Sequence, residues 1–247
     1  FGGSLREVAL TALATEVVRS VLARSAVGAE HVDGLVMGNV IPTEPRDAYL
    51  SRIAAIDAGI RKEAGAFNVN RLCGSGLQAI ICAAQAIMLG DAELAIGAGA
   101  ESMSRGAYLL PSQRWGARMG NAEVLDYMMS ALHDPFQAIH MGITAENVAA
   151  RYKISREMQD QLALQSQQRA ARAIAEGRFR SQIVPVEIKT RKGLAVFETD
   201  EHVRIDATLE SLAKLKPAFK PDGAVTAGNA SGINDGASAV LLASAAK

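Results

Sequence analysis

Cys73 stands between a short β-type run, Ala66 to Leu72, and a long apolar helical pattern, with Gly74 and Gly76 directly behind it. That order places the thiol at a sharp turn from strand to helix. The first N–H groups of a helix lack intrahelical partners and carry the positive end of the macrodipole. A thiol there is expected to ionise more readily, and the thiolate is the form that attacks carbonyls. The two glycines leave room for a substrate against the backbone. Strand, turn and helix in this order form an elbow that presents a nucleophile. The stretch Asn68 to Ile80 is therefore the organising feature of the chain, and Cys73 is its candidate nucleophile. The competing role of a free cysteine is that of a small core hydrophobe, the role expected of Cys82.

The bulk composition narrows the field. With 247 residues, 49% apolar and 21% charged, the chain can build one large or two modest domains with ample core. Lys plus Arg equals Asp plus Glu at 26 each, so no net charge favours nucleic acid or an anionic membrane. Aromatics at 4% argue against a stacking platform for single strands. No apolar run is expected to span a bilayer. On one continuous helix Cys73 and Cys82 would lie roughly 13 Å and about half a rotation apart, out of disulfide reach. A reducing, cytoplasmic location is expected.

The elements that must position the thiol follow from periodicity. Ser4 and Glu7 form a capping-box pattern, behind which Leu5, Val8, Leu13, Val17, Val21 and Leu22 trace a helix to about Arg24. Leu35 to Ile41 reads as a strand, Pro42 to Asp47 as a loop and Tyr49 to Ala58 as a helix. The helix Gly74 to Leu89 is apolar almost all round, which predicts burial on every side. Leu94 to Ala98 is the next strand, running into a glycine-rich stretch that ends at Glu101; its Gly97 and Gly99 do not complete a dinucleotide loop. The alternation predicts an α/β layer structure with a mostly parallel sheet. From Arg105 to Met141 the periodicity fails, as in an insertion or lid. Helices follow at about Thr144 to Tyr152 and Arg156 to Glu176, the second capped by Ser155 and ended by Gly177, then a strand Ile183 to Ile188 and a basic turn, Lys189 to Gly193. Small residues dominate Val225 to Ala239, and Leu241-Leu242 begins or continues a strand.

Three long segments resemble the thiolase family, in its order. They are Asn70-Arg71-Leu72-Cys73-Gly74-Ser75-Gly76, His140-Met141-Gly142-Ile143-Thr144-Ala145-Glu146-Asn147-Val148-Ala149 and Gly228-Asn229-Ala230-Ser231-Gly232-Ile233-Asn234-Asp235-Gly236-Ala237. Thr43 to Asp47, Arg114 to Gly120 and Leu132 to Phe136 are most similar to the B-type β-ketothiolases of bacterial polyhydroxyalkanoate synthesis. The resemblance implies a thiolase-like α/β fold, the N-terminal half with a mixed sheet and buried and covering helices, interrupted by an inserted α+β loop domain. The expected division is a core over 1–104, the insertion over 105–232 and a return to the core over 233–247.

The resemblance also implies chemistry. Family members condense two acyl-CoA molecules to a 3-ketoacyl-CoA plus CoA, or the reverse, through a cysteine thioester carried here by Cys73. The Cys73 N–H, at a helix start, is suited to hold a developing oxyanion. His140 lines the pantetheine end, with Leu132, Met141 and Phe219 as apolar neighbours; Ser231 hydrogen-bonds pantetheine, with Ala227 and Gly232 beside it; Arg204 meets the nucleotide part of CoA. No cofactor or metal is implied beyond the CoA thioesters, and no nucleic-acid or membrane partner. A homodimer or homotetramer is implied for the full-length enzyme, with tetramer contacts in the insertion. His31, His133 and His202 receive no role, and Cys82 and the methionines of the insertion read as core or contact residues.

The chain departs from the family in lacking the Asn-x-Asn-Gly-Gly, Gly-His-Pro and Cys-x-Gly-Gly motifs of the second half, and the family's first strand. It is read as an N-terminal portion, expected to show no thiolase turnover alone. Two alternatives stay open: a decarboxylating ketosynthase-type condensing enzyme on the related fold, and a non-catalytic CoA- or lipid-binding scaffold.

Overall fold

Alternating strand and helix segments build one sheet in a computed structural model that describes residues 1–191 and 193–245. Lys192, in the predicted basic turn, lies outside the described residues. In chain order the helices are α1 (Leu10–Ser25), α2 (Leu50–Asp57), α3 (Ser75–Leu89), α4 (Tyr127–Ala131), α5 (Met141–Tyr152), α6 (Arg156–Ala175) and α7 (Leu209–Ala213). The longer strands are β1 (Gly34–Gly38), β2 (Gly65–Val69) and β3 (Leu94–Ser102). Two-residue strands β4 (Tyr108–Leu109), β5 (Leu125–Asp126), β6 (His133–Asp134) and β7 (Ile139–His140) follow, then β8 (Val186–Thr190), β9 (Gly193–Phe197) and β10 (Asp235–Ala243).

The main sheet runs in the order β10-β3-β1-β2. β1 lies parallel to both β2 and β3, while β10 pairs antiparallel with β3 from Asp235 opposite Ser102 to Ala243 opposite Leu94. The sheet is therefore mixed, as the fold class requires. Alternation along the strands sorts the two faces. Leu35 and Met37 of β1 and Ile96, Ala98 and Ala100 of β3 form one core with Leu10, Ala14, Val18 and Leu22 of α1 and Leu50 and Ala54 of α2. The intervening residues face α3, where Ala83 packs with Ala95.

Glycines bring that second face into contact with the main chain of α3. A Cβ at Gly97 would lie 2.7 Å from the Ile80 Cα, and one at Gly38 would lie 2.6 Å from the Ser75 carbonyl carbon. Close backbone approach is the reason the glycine-rich stretch stays inside β3 instead of forming a loop.

Three sequence-based expectations are corrected. α1 begins at Leu10, and Ala9 caps it in extended backbone without a side-chain hydrogen bond, so the Ser4–Glu7 capping box does not start this helix. Its start follows the buried stripe Leu10, Leu13, Ala14, Val18 and Leu22 instead. α3 is not buried on every side: Ser75, Ala79 and Ala83 are buried, whereas Leu77, Met88 and Leu89 are 66%, 84% and 78% exposed. The face that meets the sheet carries Ala79 and Ala83, with Ile80 and Ile87 packed beside them. Finally, Leu72–Leu89 is long and apolar enough to cross a membrane by length and composition alone. The helical part has 15 residues, a rise of about 22 Å against a hydrocarbon core of about 30 Å.

The chain divides into two compact units. The first comprises Phe1–Ala131, Val186–Val196 and Asn234–Lys247 and holds the main sheet; the second comprises Leu132–Pro185 and Phe197–Ile233. The sheet unit thus extends past residue 104 and includes β8 and most of β9, which the sequence-based division assigns to the insertion. The second unit has few large apolar residues inside and is tied by polar anchors. Glu146 of α5 is buried and accepts the N–H groups of Ala224 (3.0 Å) and Val225 (2.8 Å). Buried Asp160 of α6 accepts from Arg156 Nε (2.7 Å) and Asn229 Nδ2 (2.8 Å), while the Arg156 guanidinium also donates to the Leu212 and Leu215 carbonyls. Ser155 caps α6 as predicted, accepting from the Met158 N–H.

Candidate active site

Cys73 follows the carboxyl end of β2, on the edge where the parallel strands β1 and β3 also end. Ligands of α/β proteins bind at that edge. The thiol is free and exposed, and α3 begins two residues later with Gly74 as its N-cap. The turn is tied by its own side chains. Asn70 Oδ1 accepts the Leu72 N–H (3.0 Å), and the Ser75 hydroxyl accepts the Arg71 N–H (2.8 Å) and donates to the Leu72 carbonyl (2.6 Å). Arg71 reaches along α3 to Gln78 Oε1 (2.8 Å), and Gln78 Nε2 donates to the Cys82 sulfur (3.4 Å). Cys82 is free and half-buried, a wall residue of α3.

Glu101 orders the same edge. At the end of β3 it accepts from Asn39 Nδ2 (2.9 Å) and the backbone N–H groups of Val40 (3.0 Å) and Ile41 (2.9 Å). Burial raises its pKa above the ordinary carboxylate value, with the two backbone donors pulling the other way. Sequence reasoning passed over Glu101 because only its position in a glycine-rich run was visible. Asp235, from the late glycine-rich segment, accepts the Ser104 N–H (2.8 Å) and hydroxyl (2.5 Å) in this unit.

The remaining predicted residues belong to the second unit. His140 is the N-cap of α5, and its Nδ1 accepts the Gly142 N–H at 2.9 Å. The lone pair therefore sits on Nδ1, and the neutral ring carries its proton on Nε2, a hydrogen-bond donor. Phe219 stacks on His140 at 4.7 Å between centroids, and His133 meets it edge-on at 5.1 Å. Partial burial, followed by the neighbouring His133, holds His140 below the ordinary imidazole pKa. Gly142 is required at the helix start, since a Cβ there would lie 2.3 Å from the Phe219 ring. The Met141 N–H donates to the Leu132 carbonyl at 2.9 Å. Leu132, His140, Met141 and Phe219 are thus neighbours within this unit.

A second group surrounds the small-residue turn. Asn229 closes it by accepting the Thr226 N–H at 2.7 Å, which leaves Ala227 and Ser231 exposed. The His202 ring covers Gly232 so closely that a Cβ there would lie 2.2 Å from it. Two residues on, the Arg204 N–H donates to Gln167 Oε1 at 2.8 Å, with Arg204 exposed. His133 and His202 were missed because neither has a local sequence signature; each meets its partner through the hairpin or the tertiary fold. Glu146, Asp160 and Asn229 were missed as anchors for the same reason, although all three are polar residues at or inside helix and turn patterns.

In this α/β sheet an exposed cysteine stands just ahead of a glycine-seated helix, and comparison with known proteins gives the family. A family model described as thiolase, N-terminal domain, matches residues 1–246, and the chain belongs to the thiolase family. The β-ketothiolase BktB of Cupriavidus necator is 60% identical over 243 residues, which cover 98% of this chain and 62% of the relative. A crystal structure of human mitochondrial 3-ketoacyl-CoA thiolase aligns with a TM-score of 0.97 at 42% identity, over 100% of this chain and 62% of the human one. A further structure of the human enzyme, in complex with CoA, aligns with a TM-score of 0.95 at 41% identity over 100% of this chain and 62% of its own. The chain spans about 62% of the length of these relatives.

Proposed function

We propose that this chain is the nucleophile-bearing part of a β-ketothiolase, an acyl-CoA C-acyltransferase. The observation that carries the proposal is the exposed Cys73 thiol directly ahead of the α3 N-cap, on the carboxyl edge of a parallel strand set. The Cys73 thiolate attacks the thioester carbonyl of an acyl-CoA; a carbon–sulfur bond to the enzyme forms and CoA leaves as its thiol after taking a proton. An acetyl-CoA enolate then attacks the enzyme thioester, which makes the carbon–carbon bond and returns the thiolate. The reverse sequence cleaves a 3-ketoacyl-CoA.

The second unit is proposed to hold CoA. His140 offers its Nε2–H to an acceptor on the pantetheine arm, with Leu132, Met141 and Phe219 giving that arm apolar contact. Exposed Ser231 offers a hydroxyl, with Ala227 and Gly232 beside it, and Arg204 offers a fixed cation to phosphates. The human relative solved with CoA supports this ligand class. We further propose cytoplasmic function without a cofactor beyond the CoA thioesters, and a homodimer or homotetramer for the full-length enzyme. The apolar outer face of α3 supports further protein contact there.

Two measurements test the proposal. After incubation with acetyl-CoA, mass spectrometry is expected to find one acetyl group on the Cys73 peptide and none on the Cys82 peptide; equal labelling would rule out a specialised elbow. Acetoacetyl-CoA cleavage by these 247 residues alone is expected to be absent, because they contain no Gly-His-Pro or Cys-x-Gly-Gly sequence. Rapid turnover would place the missing general base within this chain.

A further inference from the structure

Leu72, directly before the candidate nucleophile, has a φ of +47°, in the left-handed region. Left-handed backbone is costly for a residue with a Cβ. Ala26 and Lys153 also have positive φ, but both sit at helix C-caps, a common place for that conformation. Leu72 instead lies in the turn ahead of a helix, and its own side chain is 54% exposed, so packing does not hold it there.

Hydrogen bonds do. The Ser75 hydroxyl bridges both sides of the bend, accepting from the Arg71 N–H at 2.8 Å and donating to the Leu72 carbonyl at 2.6 Å. Asn70 Oδ1 takes the Leu72 N–H at 3.0 Å. Ser75 itself is 5% exposed and cannot drift, because its backbone is seated on Gly38. A hydroxyl that both donates and accepts is required here; a methyl group could do neither.

We propose that Ser75 is a positioning residue for the Cys73 nucleophile: its hydroxyl clamps the Arg71–Leu72 bend and so aims the sulfur at the first turn of α3. The inference rests on the reading of Cys73 as the nucleophile. Without the clamp, the left-handed bend at Leu72 relaxes and the thiol loses its fixed place ahead of α3. A glycine at 72 adopts the same conformation without steric cost and makes the clamp dispensable.

The test is iodoacetamide alkylation of the full chain as a function of pH, with Cys82 as the internal reference. In the parent, Cys73 is expected to react faster than Cys82; equal rates would overturn the nucleophile reading and leave Ser75 without an object. With a fast parent Cys73, Ser75→Ala is expected to slow it about tenfold relative to Cys82 near neutral pH. Adding Leu72→Gly should recover most of the rate. An unchanged rate ratio in a folded Ser75→Ala variant overturns the proposal, as does a slowdown that Leu72→Gly does not reverse. If Ser75→Ala fails to fold, the double variant decides: recovery of fold and of fast Cys73 supports the clamp, and failure of either overturns it.

Discussion

Cys73 and His140 are placed by opposite means. The cysteine is tied by its neighbours from Asn70 to Ser75, with Gly38 the distant contributor that seats the helix start. The histidine is held by Phe219 and His133, and its helix is anchored through Glu146 to Ala224 and Val225. A thiol built into a local turn keeps its geometry whenever the turn forms. A cluster built from distant segments depends on the whole unit and on buried polar anchors.

Four experiments press on that contrast, taken from the largest effect down. Cys73→Ala should abolish acetyl transfer from acetyl-CoA to the chain while leaving the His140 imidazole resonances unchanged by NMR. Glu146→Ala leaves two backbone N–H groups without acceptors in a buried site and should destabilise the chain by about 3 kcal/mol in urea unfolding. The Cys73-to-Cys82 alkylation ratio should nevertheless survive wherever the chain is folded; a large fall would show that the elbow is not local.

Gly38→Ala drives a methyl group against the Ser75 main chain and should cost about 1–3 kcal/mol. Unlike the Glu146 variant, it should also slow Cys73. His133→Gln should move the His140 pKa up toward the ordinary value, read by NMR titration, since His133 is one of the two causes of its lowering. A lowered folded-state pKa means that the unfolded chain binds the proton more readily. The contribution of His140 to stability is then full above the ordinary imidazole value of 6.5 and falls as pH drops through the window below it. His133→Gln should flatten that slope.

The same contrast explains what was legible in the sequence. The elbow, the strands around it and the helix ends at Gly90 and Ser155 were readable because each depends on residues a few positions apart. Where a local pattern competed with burial, burial won: the Ser4–Glu7 box lost to the apolar stripe starting at Leu10. Gly97 reads as strand and Gly99 as lying just beyond it; both are strand positions under a helix, and why glycine stands there is visible only once α3 is laid on them. The all-round apolar pattern of α3 signalled burial, yet within this chain one face remains open. In the second unit His140, Phe219 and Ser231 came from family resemblance. Their supports, His133, His202, Glu146 and Asp160, are meaningful only through tertiary contact.

The seating of α3 on Gly38 and Gly97 has a consequence for how this surface can vary. Main chain rests on main chain, so the height and tilt of the helix do not depend on the identity of its outward side chains. Met88 and Leu89, at the far end of α3, can therefore be exchanged in a redesign without retuning the sulfur at its start. For the folding of this chain, tolerance should be higher along the open face, whatever that face contributes to protein contact, than at the two glycines beneath it.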